Sequence, residues 1–412
     1  MQDKKQSLVP ELRFPGFDGE WEVKKLGEIL KNRRVLQKIS KKYPLLSFTS
    51  DQGVVDGASR NIDRSFLTHD KENKKYLLTK VDDIVYNPAN LKFGAIHRNT
   101  FKEGVVSPIY VTFEIIGNPY FVETLVTKKT FIQEALKFEE GTVVARQAVS
   151  PEDLLSIQVA IPSLPEQQKI AECLSSVDDL IQAETDQLQA LKDHKKGLMQ
   201  QLFPISNEQL AMSNGNPRIP RLRFPGFEGE WEEKKLGEVC NVVDDKCDIG
   251  SLTIVTYIST ENMLQDFEGV KIASKLPNSG SFTQFNKGDI LFSNIRPYLK
   301  KVWQAVFDGA ASNDVIVFRT LDGYDRLFVS QVIKSDRFIA HSMSGAKGVK
   351  MPRGDKKMML DYLFSIPSLP EQQKIASCLS SLDEGIAAQQ EKVEALKEHK
   401  KGLMQKLFPT IK

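Results

Sequence analysis

Apolar residues recur at helical spacing most persistently between Ile161 and Pro204, and the chain writes this stretch a second time as Ile366 to Pro409. After its prolines, each copy runs about 38 residues without another Pro, opens on Glu and Gln and closes in a Lys-rich turn. That pattern predicts one long helix per copy. In the first copy a heptad stripe collects Ile170, Leu174, Val177, Ile181, Leu188, Leu191, Leu198 and Leu202. In the second it collects Ile375, Leu379, Leu382, Ile386, Val393, Leu396, Leu403 and Leu407. Two slots of the stripe are polar in both: Glu184 and Lys195 match Gln389 and Lys400, each 205 residues on. Polar seam positions are a means of fixing register. One seam per helix needs one partner, and the other copy is tethered nearby. The front halves are acid-rich (Asp178, Asp179, Glu184; Asp383, Glu384, Glu391) and the tails basic (Lys192, Lys195, Lys196; Lys397, Lys400, Lys401), so antiparallel pairing sets acid against base.

A second repeat organises the rest. Leu12 to Glu28 (LRFPGFDGEWEVKKLGE) returns as Leu222 to Glu238 (LRFPGFEGEWEEKKLGE). Between opening and helix lie divergent inserts, 29–160 and 239–365, in which short β-rich runs such as DDIVY and GDILF alternate with stretches of helical spacing. Asp82 to Ile96 can still be laid on Gly288 to Val302, each a strand running into a polar loop and back toward a strand. The expected fold is α+β, with two globular domains separated by a coiled coil of two long antiparallel helices, the whole a pseudo-two-fold internal repeat. The expected bounds are 1–160 and 222–365 for the domains, 161–204 and 366–412 for the helices, and 205–221 for a polar linker.

Composition narrows the class without deciding it. The 412 residues carry a net charge of +2, so any basic surface has to be local. No apolar run approaches a membrane span and the N-terminal stretch lacks a signal-like core, which sets the expectation at the cytoplasm. Four cysteines, Cys173, Cys240, Cys247 and Cys378, suit reduced thiols and lack zinc spacing.

The tandem LRFPGF-x-GEW-x-x-KKLGE openings and the paired PSLPEQQKIA helices resemble the DNA-specificity subunit of type I restriction and modification systems. The resemblance covers nearly the whole chain, strongly in the repeated regions and weakly in the inserts. It implies that each insert is a target-recognition domain reading one half of a split DNA site, and that the helix pair sets the distance between halves. It further implies that two methyltransferase (modification) subunits dock on the repeated parts and that a translocating restriction subunit joins them. No catalysis by this chain is implied, and no cofactor of its own; S-adenosylmethionine, ATP and magnesium would belong to the partner subunits.

The chemistry of the residues bears on that reading. No GxxxxGK[ST] and no glycine-rich strand-to-helix turn is present. Asn87 to Asn90 (NPAN) begins like an amino-methyltransferase motif but lacks its second Pro and its aromatic. The triplets Glu22 to Lys24 and Glu232 to Lys234 suit a solvated helix start better than a nuclease metal site, and the five histidines form no ligand cluster. Side chains that read DNA are present: Arg and Lys for phosphate and guanine, Asn for adenine. The first insert offers Arg60, Arg64, Lys74, Lys75, Asn87, Asn90, Lys92, Arg98 and Asn99, with His97 among them. The second offers Ser293, Asn294, Arg296, Tyr298, Lys300 and Lys301, then Lys347, Lys350 and Arg353. Tyr86 is expected to pack rather than stack on a base. Phe14, Phe17, Trp21 and their counterparts Phe224, Phe227 and Trp231 are either docking anchors or packing residues. A helix of this length spans about 57 Å, on the order of 17 base pairs, an upper bound on half-site separation. Two rivals remain: a protein-binding adaptor with divergent grips, and a self-contained nuclease or methylase.

Overall fold

The computed structural model describes residues 8–57, 74–139, 148–204 and 218–409, apart from 249, 251, 347 and 349. The chain divides into two compact units, Met1–Glu184 with Lys392–Lys412, and Thr185–Glu391. Each unit therefore combines one insert with part of each long helix. These bounds differ from those drawn on the repeats, because the helices are packed into the units instead of standing apart from them.

In the first unit the opening strand Glu22–Lys25 pairs antiparallel with Gln158–Ile161, Glu22 lying opposite Ile161. The repeated opening is thereby tied to the residues that lead into the helix. Four short antiparallel strands form the central sheet, in the order Leu30–Asn32, Val111–Ile115, Ile84–Tyr86, Ile96–Arg98. Helices Pro119–Val126 and Lys129–Ala135 cover it through Phe121, Val122, Val126 and Phe131. Asn118 begins the first of these helices by accepting a hydrogen bond from the Phe121 amide.

The second unit repeats that plan. Glu232–Lys235 pairs with Leu363–Ile366, and the central sheet runs Cys240–Val242, Val315–Thr320, Ile290–Ser293, Val302–Gln304. The likeness seen between Asp82–Ile96 and Gly288–Val302 thus falls on the same strand, turn and strand in each sheet. One buried carboxylate recurs within it. Asp83 is held by Arg33 at 2.7 Å and Asp289 by Arg319 at 2.7 Å, Arg33 following the strand Leu30–Asn32 and Arg319 lying within Val315–Thr320.

The long helices are α1, Leu164–Leu202, and α2, Leu369–Lys406. Ile161 and Ile366, where the repeats begin, end strands rather than start helices. Within each unit the helix segments run antiparallel. In the first, Asp178 meets Lys400 at 2.6 Å and Glu184 meets Lys392 at 2.7 Å; in the second, Lys195 meets Asp383 at 2.6 Å. Lys195 and Lys400, the repeated polar slots of the stripe, thus take equivalent aspartates. Each stripe residue of both helices is buried or half-buried. The stripe is not only a helix-to-helix seam, however. Ile170 and Leu174 enter the core of the first insert with Leu407, and Ile375 and Leu379 enter that of the second with Leu202. A face wide enough for a partner helix also touches a domain beside it.

The helix tails close the cores. Phe408 packs on Trp21 and Phe121 in the first unit, and Phe203 on Trp231 and Phe328 in the second. Each insert is therefore completed by the tail of the helix that follows the other insert.

Candidate nucleic-acid interface

In the second unit, strand Ile290–Ser293 runs into a loop whose turn Pro297–Leu299 lies between Arg296 and Lys300, both with φ 52°. Left-handed backbone at two non-glycine residues is held by neighbouring segments. The Arg296 amide donates to Pro352 O at 2.8 Å, and Ile295 forms a β-bridge with Arg353. From the other side, the Asp266 and Phe267 amides donate to Leu299 O and Lys300 O at 3.1 and 3.0 Å. Three segments, around 260–271, 294–301 and 350–354, thus form one surface.

That surface is basic and partly apolar. Tyr298 and Met351 are 50% and 52% exposed, and Lys350 is exposed. Lys300 pairs with Asp336 at 2.7 Å and Arg353 with Asp314 at 2.9 Å. Lys301 donates to Thr260 O at 2.7 Å, and its ammonium is pushed below the usual lysine range by burial and by the positive charges of Lys271 and Arg296. Lys271 was missed in the sequence, where nothing marks it as adjacent to a loop 30 residues on. Asn294 Oδ1 and Arg296 Nε are enclosed without a hydrogen-bond partner. Ser293 requires correction as a DNA contact: it is 1% exposed and its hydroxyl donates to Ile295 O at 3.1 Å, fixing the loop from inside.

The matching loop of the first unit is Asn87–Gly94, with Gly94 at φ 78° where the second unit has Lys300. Asn87 accepts from the Ala89 amide at 3.1 Å, so the NPAN stretch starts a turn. Asn90 and Phe93 of the loop are exposed, as are Lys74 and Lys75; Lys92 lies 3.7 Å from Glu139 and over the Phe93 ring. Two candidates are internal instead. Arg98 is held by Asp82 at 2.6 Å and Glu123 at 2.9 Å, and sits over Tyr120. Asn99 is fully buried and donates to Thr79 Oγ1 and Lys102 O at 3.1 and 2.9 Å. Both serve the fold: Arg98 ends the strand that follows the loop, and Asn99 just beyond it exchanges backbone hydrogen bonds with Asp82 and Asp83. Tyr86 packs, as its sequence position suggested, with its hydroxyl donating to Val149 O at 3.1 Å. Arg60, Arg64 and Lys347 lie outside the described residues.

The repeated openings are built from paired charges and rings. Arg13 binds both oxygens of Glu166 at 2.8 Å, and Arg223 does the same to Glu371. Trp21 Nε1 adds a bond to Glu166 at 3.3 Å. Trp21 and Trp231 are core residues, which removes them as docking anchors, while Phe14 and Phe224 pack part-buried against the same cores. The repeated exposed apolar residues are different ones: Val9, Leu12 and Leu164, matched by Ile219, Leu222 and Leu369. Glu22 and Glu232 pair with Lys24 and Lys234 at 3.0 Å, and no group of His, Cys, Asp and Glu suited to a metal occurs among the described residues. Burial pushes the Cys240 thiol up to about 12, leaving it inert. Among the described residues no helix is long and apolar enough to cross a membrane.

Comparison with known proteins gives a consistent result. The family profile described as "Type I restriction modification DNA specificity domain" matches residues 18–193 and 228–398, each match running from an opening through its insert and along its helix. The chain is 23% identical to the type I restriction enzyme MjaVIII specificity subunit of Methanocaldococcus jannaschii, over 99% of this chain and 96% of that one. It is 21% identical to the EcoDI specificity subunit of Escherichia coli over 66% of each. Among solved structures, the type I restriction-modification S subunit from M. genitalium superposes with a TM-score of 0.58 at 14% identity, covering 98% of this chain and 100% of that one.

Proposed function

The chain belongs to the type I restriction-modification DNA-specificity family, and on that premise we propose that it reads an asymmetric, interrupted DNA sequence, one half-site through each unit. The carrying observation is a duplicated frame that presents unlike loops from the same strand-turn-strand position, Asn87–Gly94 in one sheet and Asn294–Lys301 in the other. Unlike loops on like frames suit unlike half-sites. The described loop of the second unit offers cations for phosphate and polar or aromatic groups for base edges.

Specificity is this chain's part in the assembly, and the chemistry belongs to its partners. Two methyltransferase subunits would dock on surfaces present in duplicate, for which Val9 and Leu12 in one unit and Ile219 and Leu222 in the other supply matched apolar patches. S-adenosylmethionine, ATP and magnesium would be held by the methyltransferase and restriction subunits, in keeping with the lack of a phosphate-binding glycine motif here.

The test is a map of methylated adenines in a genome carrying the complete system, with and without this chain. It should return one bipartite sequence, and replacing residues 29–160 with a relative's insert should change one half-site only. An unchanged recognised sequence after that exchange would refute the assignment. Duplex binding by the assembled complex should fall steeply with salt, whereas an adaptor for other proteins would show no such slope.

A further inference from the structure

We propose that Arg296 reads a guanine edge in the half-site of the second unit, with Lys271 and Lys301 holding adjacent phosphates. This rests on the DNA-reading function above and assigns a base to one residue within it. Arg296 holds φ 52° and ψ 61°, backbone that an L side chain adopts only under constraint. The constraint is visible in its amide bond to Pro352 and in the bridge between Ile295 and Arg353. Strain maintained by surrounding segments aims a side chain, and such strain concentrates at binding sites.

The guanidinium has no partner among the described residues. Its Nε is enclosed without a hydrogen-bond partner, and Arg296 has no ion pair among the described residues, whereas Arg353, bridged to the same loop, has an aspartate. Lys301 lies within reach of the Arg296 charge, and burial together with the positive charges of Lys271 and Arg296 lowers the Lys301 ammonium. A guanidinium and two ammonium groups that share no carboxylate ion pair among the described residues are costly in the free protein, and the cost is repaid by an anionic or acceptor-rich ligand. The planar fork of Arg matches the paired O6 and N7 acceptors of guanine, while lysines act as point charges suited to phosphate.

The experiment uses the complex with its methyltransferase subunits, a duplex carrying the mapped site, and duplexes with each base pair of either half-site replaced singly. Arg296→Gly relieves the backbone and deletes the side chain, so the complex should be at least as heat-stable as the parent. It should lose on the order of ten- to a hundredfold discrimination at one G·C pair of one half-site, with the other half-site read as before. Arg296→Lys should recover affinity without recovering that discrimination. Lys301→Ala should weaken all duplexes alike and lower the salt slope by about one. If Arg296→Gly weakens every duplex equally, or leaves the panel unchanged, the assignment of Arg296 is overturned. A parent complex that selects no sequence would instead sink the DNA-reading function on which the assignment rests.

Discussion

At the scale of single residues, the polar side chains divide by where the backbone carries them, not by type. Asn90 and Asn99 stand nine positions apart, yet one is exposed and the other bonds Thr79 and Lys102 inside the fold. Asn99→Ala should cost about 1–3 kcal/mol in urea denaturation, through buried partners left unmet, while sequence selectivity stays unchanged. Asn99 looked like a reader because a polar residue in a basic stretch carries no mark of burial; that depends on the turn at Asp82–Asp83 and on the sheet register around it. Lys128 gives a pH prediction. Its ammonium lies 4.3 Å from the centre of the Phe408 ring, which favours the charge, but burial outweighs this and lowers its pKa to about 8. Burial also lowers its counterpart Lys334. Lys128 therefore binds fewer protons folded than unfolded between about 8 and its ordinary 10.5, so stability should rise with pH across that window. Lys128→Met should raise the melting temperature at pH 7 and flatten that rise.

At the scale of elements, the long helices were legible because a heptad stripe is a local period, and their direction because charge is segregated along them. What a stripe does not state is which surface meets it. Ile170 and Leu174 obey the same rule as Leu191, yet they enter the core of an insert. The cross-helix pairs can be tested by exchange. Asp178→Lys and Lys400→Asp should each destabilise the first unit, and the double exchange should restore about 0.5–1 kcal/mol. The figure is small because the aspartate is 40% exposed and solvent screens the pair. Phe408→Ala should cost far more, about 3–5 kcal/mol, since it empties the space beside the Trp21 and Phe121 rings. Hydrogen exchange should place that loss in the first unit.

At the scale of the whole molecule, the duplication was legible and the division into units was not. Repeats mark where a chain copies itself, and contacts decide where it is compact; here each unit borrows part of each long helix. The basic surface of the second unit was only half legible for a similar reason. Asn294–Lys301 could be found by its composition, but Lys271 joins it through the fold, by way of Asp266 and Phe267.

The borrowed tails impose an order on synthesis. A ribosome releases the first insert long before Phe408, so Trp21 and Phe121 wait with one side uncovered until the codon for Phe408 has been read. A message broken before Lys392 leaves that gap permanently, and its product is an unfinished core exposed to proteases rather than a smaller working reader.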